Sequence, residues 1–389
     1  MVKSILDSDV YKFTTSYAYM NKYPDDIGTF EFVDRNKTEL TYDQVQEIIR
    51  EIENLQSLYL TDAEKQWCID YIPFIPQYYW EWLSTFRFEF DKITISTDMN
   101  NHLKISVTDK LYKVTLYEIA ILAIVSEVLC KYAIDTPIDF SSARERLLNK
   151  ISIARENKFK FSEFGTRRRY SYEVQDWVCR TLAGYGADVC VGTSNVHFAM
   201  KYSLKPMGTH PHEWFMFHGA QYGYKNANYM ALEAWQDIYQ GDLGIALTDT
   251  YTSDVFFRNF SKKHAKLFDG IRHDSGDWLT FTLEAMQRYM HHGIDPMTKT
   301  IIFSDGLDFE KAAEIAEYCK DKIKCSFGIG TNLTNDVGAK PCNIVMKLTE
   351  CRMNRNQPLF KTIKLSDVEG KHIGPEKEIE IAKYQLNIK

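Results

Sequence analysis

Ile271-Arg-His-Asp-Ser-Gly-Asp277 is the stretch that decides the fold. An apolar start breaks into charged and small residues, and Trp278–His291 then reads as a helix. The same figure recurs on both sides. Upstream stand Phe164-Gly-Thr-Arg-Arg-Arg169, Val191-Gly-Thr-Ser-Asn195, Met207-Gly-Thr-His-Pro-His-Glu213 and Ala246-Leu-Thr-Asp-Thr250. Downstream stand Phe303-Ser-Asp-Gly306 and Phe327-Gly-Ile-Gly-Thr331. Buried strands that end in polar turns and feed helices are the pattern of a β/α barrel, whose strand C-termini carry the site. Helices are expected over Tyr172–Ala183, Met230–Tyr239, Ser253–Phe260, Trp278–His291 and Asp308–Lys320. Asp308 and Glu310 suit the start of the last of these.

Residues 1–155 have a different texture. Asp7-Ser8-Asp9 reads as a helix cap before Tyr, Phe and Met at helical spacing. Thr41 can cap a helix whose stripe is Val45, Ile48, Ile49 and Ile52. Thr29–Val33, Phe86–Phe90, Ile93–Ser96 and Leu103–Val107 alternate like strands, and Leu116–Tyr132 reads as one long helix. After Lys340 the texture changes again. Ile344–Glu350 and Phe360–Leu365 bracket the polar turn Asn354–Pro358, a hairpin signal. The reading is an α/β protein: an N-terminal α/β sandwich over 1–155, completed by 341–389, and a barrel over 156–340.

Composition narrows the function. The chain has 389 residues, 44% of them apolar, with net charge −6 and pI near 6.0. That balance argues against general nucleic-acid binding. Eight cysteines form no Cys-x-x-Cys pair, Asp7 and Asp9 interrupt any signal peptide, and Ile119–Val125 is too short to span a bilayer. A reducing cytoplasm is the expectation.

The rim residues suit a phosphorylated, hydroxyl-rich substrate. Glycines 306, 328 and 330 let backbone N–H groups approach a phosphate in the loops after the last two strands. Asp249, Asp274 and Asp305 could bind ribose hydroxyls or hold Mg²⁺ through water. One or two of Arg167, Arg168 and Arg169, which start a helix, would reach an anion, and the remainder would be solvated or ion-paired. His210 and His212 offer a base, a nucleophile or metal ligands, and Glu213 could orient a ring nitrogen. With His218 or His273 they would also make a zinc set. No P-loop and no Gly-x-Ser-x-Gly elbow is present. Tyr11 and Phe164 could stack on a flat ring.

Together with Leu6-Asp-Ser-Asp-Val-Tyr-Lys12, Leu247-Thr-Asp249 and Met207 through Trp214, these motifs resemble the nicotinate phosphoribosyltransferase family almost end to end. The resemblance implies a homodimer of an open α/β sandwich and an irregular β/α barrel. It implies ATP-coupled glycosyl transfer, in which nicotinate and phosphoribosyl pyrophosphate give nicotinate mononucleotide and pyrophosphate, with Mg²⁺. Coupling would run through a phosphohistidine at His212. Tyr11, from the other subunit, and Phe164 would sandwich the pyridine, and Arg167 would face nicotinate or the phosphates. Asp249 and Asp274 would contact ribose, pyrophosphate or Mg²⁺. Gly306, Gly328 and Gly330 would hold the 5′-phosphate, and Ser194, Arg272, Ser275, Asp305 and Thr331 complete the expected substrate contacts. His210 receives no role. Two alternatives stay open: a nicotinamide-type sister enzyme, and a metal-dependent amidohydrolase built on His210, His212, His273 and Asp274.

Overall fold

The computed structural model describes residues 1–133, 137–353, 357–368 and 370–388. Two sheets organise it. The first is antiparallel and joins both ends of the chain. Its strands are β1 (Ile27–Asp34), β2 (Ile93–Thr97) and β3 (Leu103–Lys110), and they meet the late strands described below. In β1, Phe30 and Phe32 alternate inward and are buried, as period-two side-chain placement requires.

The second sheet is parallel. It contains β4 (Phe161–Glu163), β5 (Cys190–Thr193) and β6 (Lys205–Pro206). After the short β7 (Gln240–Leu243) come β8 (Ile245–Leu247), β9 (Gly270–His273), β10 (Thr300–Phe303) and β11 (Lys324–Ile329). Its order is β6-β5-β4-β11-β10-β9-β8. β4, the first strand of this sheet in chain order, pairs with β11, the last, Phe161 opposite Phe327, which curls the sheet into an incomplete barrel open between β6 and β8. All seven of its strands end at the expected polar turns. Helices run over Tyr172–Tyr185, Tyr224–Tyr239, Ser253–Asn259, Trp278–His291 and Phe309–Cys319, and Asp308 caps the last by accepting from the Lys311 N–H.

The tail then crosses to the first sheet. There β12 (Ile344–Arg352) lies antiparallel to β1, and β13 (Phe360–Lys361) flanks it. Of the expected hairpin turn, residues 354–356 lie outside the described residues. The helix Tyr117–Ala133 packs against β12 and against the turn that follows β4. Ile121, Leu122 and Val125 on it are fully buried, each worth roughly 1.5–3 kcal/mol of transfer free energy.

Three local expectations fail. Phe86–Phe90 is not a strand: a 3₁₀ turn occupies Phe90–Lys92. Phe86 and Phe88 are buried by packing on each other, with ring centroids 5.2 Å apart, and on Tyr117. Alternation there records side-chain facing without backbone pairing. Asp9 precedes the helix Val10–Lys22 but makes no side-chain cap, because its carboxylate is taken by Ser194. The arginine run forms a 3₁₀ turn, Thr166–Arg168, and the helix starts later, at Tyr172.

Candidate active site

The ends of β4 and of β9 to β11 open into one cleft, walled on the other side by β12 and the segment after β13. It has two adjoining lobes that share Arg167, Arg168, Arg272, Ser304 and Gly306. The first, of about 350 Å³, holds Tyr11, Glu118, His212, Asp274, Asp305 and three lysines, 347, 364 and 371. The second, of about 420 Å³, holds Phe164, Gly328, Gly330 and Thr331.

His212 is the first residue of the helix His212–Tyr222. Its Nε2 lies 2.8 Å from Asp249 Oδ1, 2.8 Å from Lys364 Nζ and 3.6 Å from Asp274 Oδ2. Burial and the Lys364 cation push the imidazole down to about 4, against the pull of Asp249, so the ring is neutral at neutral pH. In the tautomer that donates Nε2–H to Asp249, the lone pair sits on Nδ1, which has no hydrogen bond among the described residues. The Lys364 ammonium is satisfied by Asp249 Oδ2 at 3.0 Å. Burial would raise Asp249, but Lys364 and His212 hold it well below the usual carboxylate range. The Ser275 hydroxyl donates to the same carboxylate at 2.7 Å.

A second ladder stands beside this one. Arg272 donates to Ser304 Oγ (2.7 Å), Thr209 Oγ1 (2.8 Å) and Asp274 Oδ1 (2.6 Å). Ser304 also donates to Asp274 Oδ1. Burial opposes ionisation of Asp274, yet Arg272 brings it down to about 2. Asp305 is held by Lys371 at 3.3 Å. Gly306 follows with φ +58°, and nothing lies within 4 Å of where a Cβ would sit. The turn therefore needs a residue at ease in the left-handed region and leaves its space open.

The arginine run divides as its geometry demands. Arg169 is fully buried and bidentate on Asp7, at 2.7 and 2.9 Å. Arg167 and Arg168 line both lobes and have no side-chain hydrogen bond or ion pair among the described residues. Burial and the neighbouring Arg167 push Arg168 down to about 10.

Of the expected contacts, Tyr11, Arg167, His212, Arg272, Asp274, Asp305 and Gly306 line the first lobe, and Phe164, Gly328, Gly330 and Thr331 the second. Asp249 and Ser275 lie behind His212, not on the surface of the cleft. Ser194 is not brought to the cleft: it is 3% exposed and its hydroxyl donates to Asp9. Gly328 answers a nearer constraint than a phosphate, since a Cβ there would sit 2.4 Å from the Phe164 ring.

The zinc set does not assemble. His210 is fully buried with both ring nitrogens unpaired, 4.4 Å from the Trp235 ring. His218 is spent on Tyr23 and the Trp214 carbonyl, and His273 packs on Phe281. Among the described residues, the one group spaced for a metal is His212, Asp249 and Asp274, and His210 and His273 of the amidohydrolase set stand outside it. Glu213 does not orient His212 either. It pairs with Lys12, which also meets Glu118 at 2.5 Å. The sequence reading missed Glu118 and the lysines 347, 364 and 371. Lys364 had a faint signal, since it stands between the buried Ile363 and Leu365.

A curled parallel sheet whose strand ends gather a neutral histidine, two ionised aspartates and unpaired cations around a two-lobed cleft defines a barrel enzyme for a polyanionic substrate. Family models agree: residues 6–126 match the nicotinate phosphoribosyltransferase N-terminal domain, and residues 159–381 match the nicotinate phosphoribosyltransferase family. The chain belongs to the nicotinate phosphoribosyltransferase family. A nicotinate phosphoribosyltransferase of Chromohalobacter salexigens is 42% identical over 391 residues, covering 99% of this chain and 98% of that one. The crystal structure of the enzyme from Porphyromonas gingivalis shares 48% identity, full coverage of both chains and a TM-score of 0.97. That from Vibrio cholerae shares 33% identity with a TM-score of 0.93, covering 100% of this chain and 95% of that one. Among the described residues, no helix is long and apolar enough to cross a membrane.

Proposed function

We propose that the chain joins nicotinate to phosphoribosyl pyrophosphate, giving nicotinate mononucleotide and pyrophosphate, and that it couples this to ATP hydrolysis through phosphorylation of His212. The observation that carries the reading is the neutral His212, tied to Asp249 and Lys364 in the lining of a cleft with unpaired arginines. In glycosyl transfer the pyridine nitrogen attacks C1 of the ribose while the C1–O bond to pyrophosphate breaks. Positive charge grows on the sugar and negative charge on the leaving group. Arg167 and Arg168 meet the latter, and the ionised Asp274 faces the former. Little covalent help is needed, so positioning dominates. Tyr11 and Phe164 are the rings available to stack on the pyridine. The open turn at Gly306, with Gly330 and Thr331, is the place for the 5′-phosphate.

ATP enters at the same cleft. His212 Nδ1 attacks the γ-phosphorus, the bond to the ADP oxygen breaks, and water later releases phosphate. Asp249 holds the Nε2 proton and balances the charge that develops on the ring. The phosphoryl group adds about two negative charges beside Lys364. That draws on the cation that Asp249 now holds and biases the position of Lys364 itself.

Mg²⁺ is expected with both phosphorylated substrates. It takes oxygen ligands and keeps water. Both Asp249 oxygens are used, whereas Asp274 Oδ2 makes no hydrogen bond among the described residues. The residues thus fit an ion brought on the pyrophosphate, with Asp274 as its protein-side oxygen; when bound, it supplies neutralisation of the leaving group. A cytoplasmic homodimer is the accompanying proposal, supported by eight unbridged cysteines and by membership of the family. The test is pyrophosphate release from nicotinate and phosphoribosyl pyrophosphate, with and without ATP, beside labelling from γ-labelled ATP. Acid-labile label that disappears in His212→Asn is expected; label persisting in that variant would sink the histidine assignment.

A further inference from the structure

Three of the cations that line the Tyr11 lobe are already spent. Lys364 holds Asp249, Lys371 holds Asp305, Arg272 holds Asp274, and Lys12 beneath the floor holds Glu118. Lys347, on β12, is different. It lines this lobe beside Tyr11, Glu118 and Arg167, and among the described residues it has no hydrogen bond and no ion pair. It is absent from the glycine-lined lobe, which Arg167 and Arg168 do reach; the other cation confined to the Tyr11 lobe without a side-chain partner among the described residues, Arg35 after β1, is exposed. Lys347 is half-buried, and the anion that acts on it, Glu118, is already held by Lys12, so a ligand that brings its own carboxylate relieves the amine.

We propose that Lys347 is the specificity-determining cation that receives the carboxylate of nicotinate, so that the pyridine lies against Tyr11 with its acid group turned towards β12. The inference rests on the proposed reaction and deepens it. The two shared arginines are left for the phosphates, and the lysine confined to the Tyr11 lobe reads the acid. A neutral amide at the same place would leave the ammonium uncompensated, which is a discrimination by loss as well as by attraction.

The surroundings make this lysine a tunable one. Burial pushes its amine down to about 8; Glu118, from the helix Tyr117–Ala133, opposes that, while Arg167 after β4, Lys364 after β13 and Lys12 reinforce it. A bound carboxylate would raise it again and hold the proton in place.

The experiment is steady-state kinetics of the full-length protein with nicotinate and with nicotinamide, for wild type, Lys347→Met and Lys347→Arg. Lys347→Met should raise KM for nicotinate on the order of 10- to 100-fold, the range of a charge-assisted hydrogen bond. It should erase most of the preference over nicotinamide and leave KM for phosphoribosyl pyrophosphate unchanged. Lys347→Arg should recover most of the affinity. Nicotinate affinity of the wild type should weaken above about pH 8, and Lys347→Arg should remove that limb. A rise in KM for phosphoribosyl pyrophosphate with nicotinate unaffected would reassign the lysine to a phosphate and overturn the proposal, and so would unchanged kinetics in Lys347→Met. A wild type that does not turn nicotinate over would instead overturn the reaction itself.

Discussion

The two halves of the barrel rim use the same residue types and do different things with them. Where Asp7, Asp9 and Glu163 gather at the ends of β4 and β5, every carboxylate is answered. Asp7 takes Arg169 and Asn195; Glu163 takes the Gly165 N–H, Gln175 and Thr193; Asp9 takes Ser194. All of these groups are buried. In the cleft, charge is left over. Among the described residues Arg167 and Arg168, from the turn after β4, and Lys347, on β12, have no hydrogen-bond or ion-pair partner, and Asp274, after β9, keeps one oxygen without a hydrogen bond. The closed half holds the helix Val10–Lys22 and the barrel together. The open half waits for an anion. What distinguishes a structural charge from a functional one here is the number of its hydrogen-bonding positions already filled, not its identity or its place in the chain.

The largest effect should come from breaking the closed half. Asp7→Ala strands Arg169 inside the protein, with Gln175 and a backbone carbonyl as its remaining hydrogen-bond partners among the described residues. Removing one member of a fully buried ion pair costs about 3–5 kcal/mol. Urea unfolding should register that loss. In the open half, His212→Asn should remove ATP-derived label while leaving stability within about 1 kcal/mol of wild type, since active-site groups are seldom placed for stability. Equal destabilisation by the two variants would erase the distinction.

A smaller effect sharpens the open half. Lys364→Met removes the cation that helps hold His212 down. With burial unchanged, Asp249 and Asp274 should then raise the imidazole from its value of about 4. The sign for stability follows. Unfolded, His212 takes up a proton near 6.5, while folded it stays neutral to about 4. The unfolded chain therefore binds more protons in that window, and this contribution to stability is present above pH 6.5 and lost as pH falls towards 4. Lys364→Met should narrow the window. The His212 ring signal followed by NMR against pH, assigned with His212→Asn, measures the shift; a downward movement would mean that Lys364 does not repel the ring.

Much of this was legible in the chain. Most strands of the parallel sheet end where an apolar run gives way to Gly, Thr, Ser or Asp, because a buried parallel strand is largely apolar and its exit has to turn; β4, with the buried Ser162 and Glu163, and the edge strand β6, Lys205–Pro206, depart from the rule. Asp249, Asp274 and His212 could be named for the same reason: the turn itself carries them. The lysines could not. Lysine is ordinary on any surface, and only the pairing of β12 with β1 and the approach of the residues after β13 to the barrel place 347, 364 and 371 in the cleft. His210 and His212 are alike in sequence and two residues apart, yet one faces Trp235 and the other Asp249. That choice is made by how helix His212–Tyr222 packs, which no local spacing records. Phe86–Phe90 failed for a related reason: alternation needs a neighbouring strand to become a sheet, and none is there.

The smallest effect tests the boundary between the halves. Ser194 stands at the end of β5 in a Gly-Thr-Ser-Asn turn that looks like a substrate contact, and its hydroxyl instead donates to the buried Asp9 at 2.7 Å. Burial raises the Asp9 carboxyl, and Ser194, Arg167 and Thr166 oppose that rise. Ser194→Ala deletes one donor and should cost about 1–2 kcal/mol, the penalty for an acceptor left short in the interior. The backbone tie from the Val10 N–H to the Ser194 carbonyl, 2.7 Å, does not depend on the side chain and should hold the turn in place. KM for nicotinate and for phosphoribosyl pyrophosphate should accordingly stay where they are, with the change confined to denaturation. A several-fold rise in either KM without loss of stability would put Ser194 inside the cleft and move the boundary between closed and open charge across β5.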